Sequence, residues 1–345
     1  MTILIPAYWY YPYFYQTNAL LLTINQTFMK INTLLSICAC TVVLLSYSCG
    51  KDPVTTPVPG PGTVDTTDTT THVVKYTRDS AIKDYQQMFL ATEVLNTGWT
   101  GSTANCDPGS VPQSVHDAVI KRINYFRKIT GLNYDCTLDA SLIPAQQRTA
   151  LMMAAAGDLS HDPDPIWPCY TADGADGAKK SNLRLGSAAT DAVVAFMNDE
   201  EEYNQAVGHR RWLLYSKQSA FSHGSTHNTA VIHVLVKAEN TKVPEFIAYP
   251  PATFVPYPIV YHRWSFSIPG ADFTNANVTM LHKGIDVPVQ VVSRTEKIAD
   301  NTIVWEPQQA ISEPGIYDLT YTVTITDIGN APKQSYTYSV VIFKP

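Results

Sequence analysis

The sequence predicts an α+β protein, an α/β sandwich followed by an all-β sandwich of immunoglobulin-like type. Three observations carry this. Apolar residues recur at helical spacing through 105–240, and beyond 245 the period falls to two. Twenty tyrosines and many threonines favour strands. The chain has 345 residues, 45% hydrophobic and 16% charged, which is enough for two cores and excludes disorder as a whole.

In the first region, SVHDAVIKRINYFRKITGL sets Val115, Val119, Ile123, Phe126 and Ile129 on one helix face and ends at Gly131, a C-terminal stop. PAQQRTALMMAAAGDLSH predicts a second helix, with His161 just past its end. TDAVVAFMNDE predicts a third, capped by Thr190 or Asp191. EYNQAVGHRRWLLYS predicts a fourth, with Ala206, His209, Trp212 and Leu213 on one face. AVIHVLV reads as a buried strand. TADGADG, around Asp173 and Asp176, lacks the closing glutamate of a calcium loop and reads as an ordinary turn.

In the second region YDLTYTVTI places Tyr317, Leu319, Tyr321, Val323 and Ile325 on one face. VTMLHKG, VPVQVVS, TIVWEP and YTYSVVIF repeat the style, which predicts a sandwich over 245–345. PGIYDL resembles the tyrosine corner of such domains, with Tyr317 as the corner residue. A hinge is expected near Lys242-Val243-Pro244, so that the two regions fold apart.

The N-terminal part has another character. Lys30 is followed by an apolar run and small residues ending at Cys49, the layout of a secretory signal peptide over 29–49. The ending SYSC resembles a bacterial lipobox, which makes Cys49 the lipidation site and the membrane a partner through the acyl chains. Residues 1–28 contain no Lys, Arg, Asp or Glu, so Met29 is read as the true start and 1–28 as a mis-assigned leader. Residues 50–72, rich in Pro, Thr and Gly, read as an extended tether, and 73–104 as a connecting segment. The expected location is extracytoplasmic, anchored to a bacterial membrane or cell surface.

Cys106, Cys136 and Cys169 remain for the folded part; Cys106 and Cys169, each in a Pro- or Gly-flanked loop, are the favoured disulfide, and Cys136 the free thiol. A formal charge of −6, from 24 basic and 30 acidic residues, with no dominant basic patch, argues against nucleic acid as a partner. No nucleophile elbow, P-loop or dinucleotide fingerprint occurs.

Four blocks occur in order: NYFRKITGL, ALMMAAAGDLSHDPDPIWPCY, SNLRLG and VGHRRWLLY. Together they resemble the CAP superfamily of cysteine-rich secretory, antigen and pathogenesis-related proteins, in a bacterial form with a trailing β-sandwich. The resemblance implies a three-layer α/β/α sandwich over 105–242. It also implies a cleft lined by two histidines and two acidic residues. His161 and His209 match the histidines, and Asp199, with Glu200 as rival, matches the second acidic position. Ser181, before Asn182, stands where the first acidic residue belongs, so the set of four is incomplete. Two neutral imidazoles and a carboxylate are a donor set for Zn²⁺, here His161 and His209 as candidate ligands. Each histidine also has a plainer role, at a helix end or as a buried polar bridge, and Arg210 and Arg211 read as surface or ion-pairing residues. The resemblance favours a surface-anchored protein that binds a small-molecule lipid, a glycan or a peptide. The alternative is a metal-assisted hydrolase acting on cell-wall or peptide bonds.

Overall fold

Local signals place most of the helices. The computed structural model describes residues 76–235, 242–296 and 298–345; the leader, signal segment, Cys49 and tether lie outside them. Thr77 caps α1 (Arg78–Asp84) by accepting from Ser80 N, and the chain continues through a π turn and a 3₁₀ turn to Thr92. The predicted apolar stripe of α2 (Gln113–Ile129) is buried throughout. Helix α3 (Ile143–Ala156) starts with a proline in its first turn and ends at left-handed Gly157.

Residues 172–179 form helix α4 (Ala172–Lys179) instead of the expected turn. Its glycines serve close packing: a Cβ at Gly177 would collide with Thr149 Oγ1 on α3. Thr171 caps the helix, and Arg148 pairs with Asp173. Helix α5 (Ala189–Asn198) is capped differently from expectation, because Thr190 and Asp191 lie inside its first turn. Ser225 Oγ supplies the missing acceptor, taking the Ala189 N–H at 3.0 Å. Helix α6 (Gly208–Leu213) is one short element, and Ala206 lies outside it. Val207 adopts a left-handed conformation that a helix cannot pass through, and Asn204 Oδ1 accepts from Gly208 N at 3.0 Å.

Strands β1 (Thr137–Leu138), β2 (Ser181–Leu185), β3 (Ala220–Ser225) and β4 (Thr229–His233) form one sheet in the order β1-β3-β4-β2. β1 and β3 are parallel, and the other pairs antiparallel. α3 packs on β3 and β4 with α4 beside it; α2 and α5 cover the other face. This is the expected α/β/α sandwich. The first part of the AVIHVLV segment, Ala230 to His233, lies in β4, one of the two inner strands, with Ala230, Val231 and Ile232 fully buried.

The rest is all β: β5 (Ile247–Tyr249), β6 (Phe254–Pro256), β7 (Trp264–Ser267), β8 (Asn277–His282), β9 (Ile285–Asp286), β10 (Val289–Thr295), β11 (Thr302–Pro307), β12 (Leu319–Thr326) and β13 (Tyr336–Phe343). Two sheets, β10-β11-β7-β5 and β6-β13-β12-β8-β9, pack face to face. Trp264 of β7 meets Tyr321 of β12, and Phe266 of β7 meets Tyr338 of β13. Tyr321, Val323 and Ile325 point inward as their alternation predicts. Tyr317 does not form a tyrosine corner: it is 79% exposed, so its hydroxyl cannot brace the core.

The described residues of the two regions belong to one compact unit, docked against each other on either side of Lys242-Val243-Pro244. The reason lies in Arg210 and Arg211, which are buried between them instead of lying on the surface. Arg210 donates to Met197 O at 2.6 Å and Asn198 O at 3.0 Å, at the carbonyl end of α5, and to Arg263 O at 2.8 Å across the junction. It also lies over the Tyr249 ring. Arg211 Nε donates to Thr302 Oγ1 at 2.9 Å and its Nη2 to Asp300 O at 2.9 Å, both in the sandwich. These hydrogen bonds, from Nε and both Nη atoms of Arg210 and from Nε and Nη2 of Arg211, are what make the buried guanidinium groups tolerable; Arg211 Nη1 has no partner among the described residues.

Candidate functional site

The α5–α6 connection carries the site. Asp199 ends α5 in a left-handed conformation (φ +52°), which turns the chain sharply and leaves its carboxylate fully buried against the start of α6. His209, the second residue of α6, places Nδ1 2.7 Å from Asp199 Oδ1. Asn204 Nδ2 donates to the same oxygen at 2.7 Å, and Arg210 N donates to Asp199 Oδ2 at 3.2 Å. Asp199 is therefore satisfied on both oxygens, and its charge favours His209 as the Nδ1–H tautomer. That leaves Nε2 with a lone pair. The imidazole packs against the Phe196 ring, and the His209 side chain is 22% exposed, so it forms part of a surface wall.

Glu201 completes the group. One ligand atom each of Asp199, Glu201 and His209 lie within 4.8 Å of one another. Arg184 of β2 holds Glu201 Oε1 at 2.5 Å, while Glu201 Oε2 is buried with no hydrogen-bond partner. Asn182, also on β2, donates to His209 O at 3.0 Å and so ties the sheet to α6.

The other expected site residues fall elsewhere. His161 is exposed, its Nδ1 2.8 Å from Ala178 O at the end of α4, and it is not in the converging group. Glu200, the rival acidic residue, is exposed and accepts from Asn198 Nδ2, because the left-handed turn at Asp199 directs it outward. Ser181 is buried, with its hydroxyl facing Gln146 Oε1 and Gly177 O. It braces α3 and α4 against β2.

Glu201 and Asn204 escaped the sequence reading. Glu201 stands in a run of four acidic residues, 199–202, where no periodicity marks which one turns inward. Cys106 and Cys169 are joined in a disulfide that closes a separation of 63 residues, and Cys136 is a buried free thiol. A second histidine pair lies inside the domain. His223 Nδ1 is 3.1 Å from His116 Nδ1, and His223 Nε2 is 3.0 Å from Ser225 Oγ. Burial, reinforced by His116, pushes the His223 pKa down to about 3, and burial also lowers that of His116. Both rings are sealed from solvent and act as neutral core residues.

An α/β/α sandwich with a carboxylate-braced histidine on its last helix defines the class of fold. Residues 120–233 match the family model of the cysteine-rich secretory protein family, CAP, and this part of the chain is a CAP domain. No curated protein matches the chain. Among the described residues, no helix is long and apolar enough to cross a membrane.

Proposed function

We propose that this chain is an extracytoplasmic, lipid-anchored CAP-domain protein that binds a lipid, glycan or peptide ligand through the wall containing His209. The observation that carries this reading is the buried Asp199 carboxylate beneath a part-exposed imidazole. The carboxylate fixes ring and tautomer from behind, and Nε2 is left to accept a hydrogen bond from a ligand. The secretory character of the matched family and the disulfide both suit an oxidising compartment. Cys49, outside the described residues, is the proposed acylation site; Cys49→Ser is expected to move the protein into the soluble fraction, and a variant still sedimenting with membranes refutes the anchor.

The binding test uses phospholipid vesicles, peptidoglycan fragments and a peptide library, with wild type and His209→Ala side by side. One class is expected to bind wild type and to bind His209→Ala at least tenfold more weakly, with the fold retained. Equal binding by both proteins refutes the reading.

The orphaned Glu201 Oε2 favours a second reading, a metal-assisted hydrolase. The donor set fits Zn²⁺ only in part. Asp199 Oδ1 and His209 Nδ1 are bonded to each other, so Asp199 serves as an orienting carboxylate. Glu201 and His209 Nε2 are the remaining donors, two where catalytic zinc takes three protein ligands. Bound Zn²⁺ would supply a water of lowered pKa. Titration with Zn²⁺, and hydrolysis of peptidoglycan with and without chelator, separate the two readings.

A further inference from the structure

We propose that Arg263, a residue of the β-sandwich, is the positioning residue of the CAP-domain site, so that the site is complete only when both parts of the chain are docked. This rests on His209 being the ligand-contacting group, as proposed above.

Arg263 lies immediately before β7 and is buried. Its Nη1 donates to Asp199 O at 2.9 Å and Glu201 O at 2.8 Å, and lies 3.3 Å from Asn204 O. Those are the three residues whose side chains meet at or beside His209. Its Nε donates to Glu306 Oε1 at 2.9 Å. Glu306 follows Trp305 on β11, and Trp305 pairs with Trp264, so the sheet register itself sets Glu306 beside Arg263. The guanidinium is thus aimed by the sandwich and spent on the main chain of the CAP loop.

The return contact comes from the same residue. Arg263 O accepts from Arg210 Nη1 at 2.8 Å, and Arg210 follows His209 directly. The side chain of Arg263 therefore holds the start of the 199–210 segment, and its carbonyl holds the end. The segment needs such a clamp. Asp199 and Val207 are both left-handed non-glycine residues, and Val207 is β-branched. Within 200–206 the chain makes two turn bonds, Asn204 N to Glu201 O and Val207 N to Asn204 O, and no regular element. Such a conformation persists where surrounding contacts over-determine it. Arg is suited to this because a planar fork can serve the loop carbonyls and Glu306 together; a lysine ammonium cannot serve both sides.

The test compares Arg263→Gln and Arg263→Lys with wild type and with Val340→Ala, which loosens the sandwich core without touching the loop. The first readout is the ring N–H proton resonance of His209, the spectroscopic signature of the bond to Asp199. Amide hydrogen exchange across 204–210 is measured on the same samples. Arg263→Gln is expected to lose the ring resonance and to speed exchange at Val207 and Arg210 at least tenfold, while β12 and β13 stay protected. Arg263→Lys, which keeps the charge and guards against misfolding of the glutamine variant, is expected to show the same losses. An unchanged ring resonance in either variant, or its equal loss in Val340→Ala, overturns the proposal. The second readout is Zn²⁺ titration, where loss of a second-layer contact is expected to weaken binding by about 10–100-fold. Failure of Zn²⁺ to bind wild type counts against the metal reading alone, because the ring resonance still judges Arg263.

Discussion

Acidification is expected to unfold the CAP domain from its interior, through the His116–His223 pair. His223 is fully buried, and its pKa falls from 6.5 to about 3 on folding. The folded state thus binds fewer protons than the unfolded chain at every pH between those values. Stability present above pH 6.5 is lost as the pH falls toward 3, at up to about 1.4 kcal/mol per pH unit for one group. Between pH 8 and pH 5 His223 alone removes about 2 kcal/mol, and His116, lowered in the same direction, adds to it. A protonated pair would also set two imidazolium nitrogens 3.1 Å apart inside the core. The check is urea denaturation at pH 8, 6.5 and 5 on wild type and His223→Gln. Glutamine keeps a hydrogen-bonding group near Ser225 and removes one titration. Asp300, whose pKa is raised by burial, contributes equally to both proteins and cancels in the difference. Wild type should lose about 2 kcal/mol more than the variant over this range. Equal losses would show that His223 is solvated or already charged in the fold.

Three further outcomes are expected. Arg210→Met should destabilise the protein by about 3–5 kcal/mol, since it strips hydrogen bonds from buried carbonyls at the junction; denaturant midpoints measure it. Replacing both Cys106 and Cys169 by serine should cost about 4 kcal/mol by the loop-entropy relation for a 63-residue separation, read from thermal unfolding with and without reductant. Gly224→Ala should destabilise by about 1–3 kcal/mol, because its Cβ would strike the Gln146 main chain on α3; circular dichroism melts follow it, and a neutral result would mean α3 is free to shift away from β3.

The sequence by itself determined the elements whose signals are local. The period of 3.6 in α2, the stop at Gly131, the alternation along β12 and the β-rich run of β4 each depend on neighbours a few residues away, so they were legible without coordinates. The block order that resembles the CAP superfamily marked His209 and Asp199 as candidates. Only the tertiary structure decided what those residues touch. Left-handed Asp199 turns Glu200 outward and Glu201 inward, a choice that no pattern within four consecutive acidic residues encodes. The N-terminus of α5 takes its acceptor from Ser225 on β3, so the capping rule applied to adjacent residues named the wrong side chain. Arg210 and Arg211 look like surface charges in a one-dimensional reading, because their partners at Arg263, Asp300 and Thr302 lie 53 to 91 positions away. Local propensity and periodicity act over a few residues, whereas burial of a charge is settled by whichever distant carbonyls the fold brings within reach.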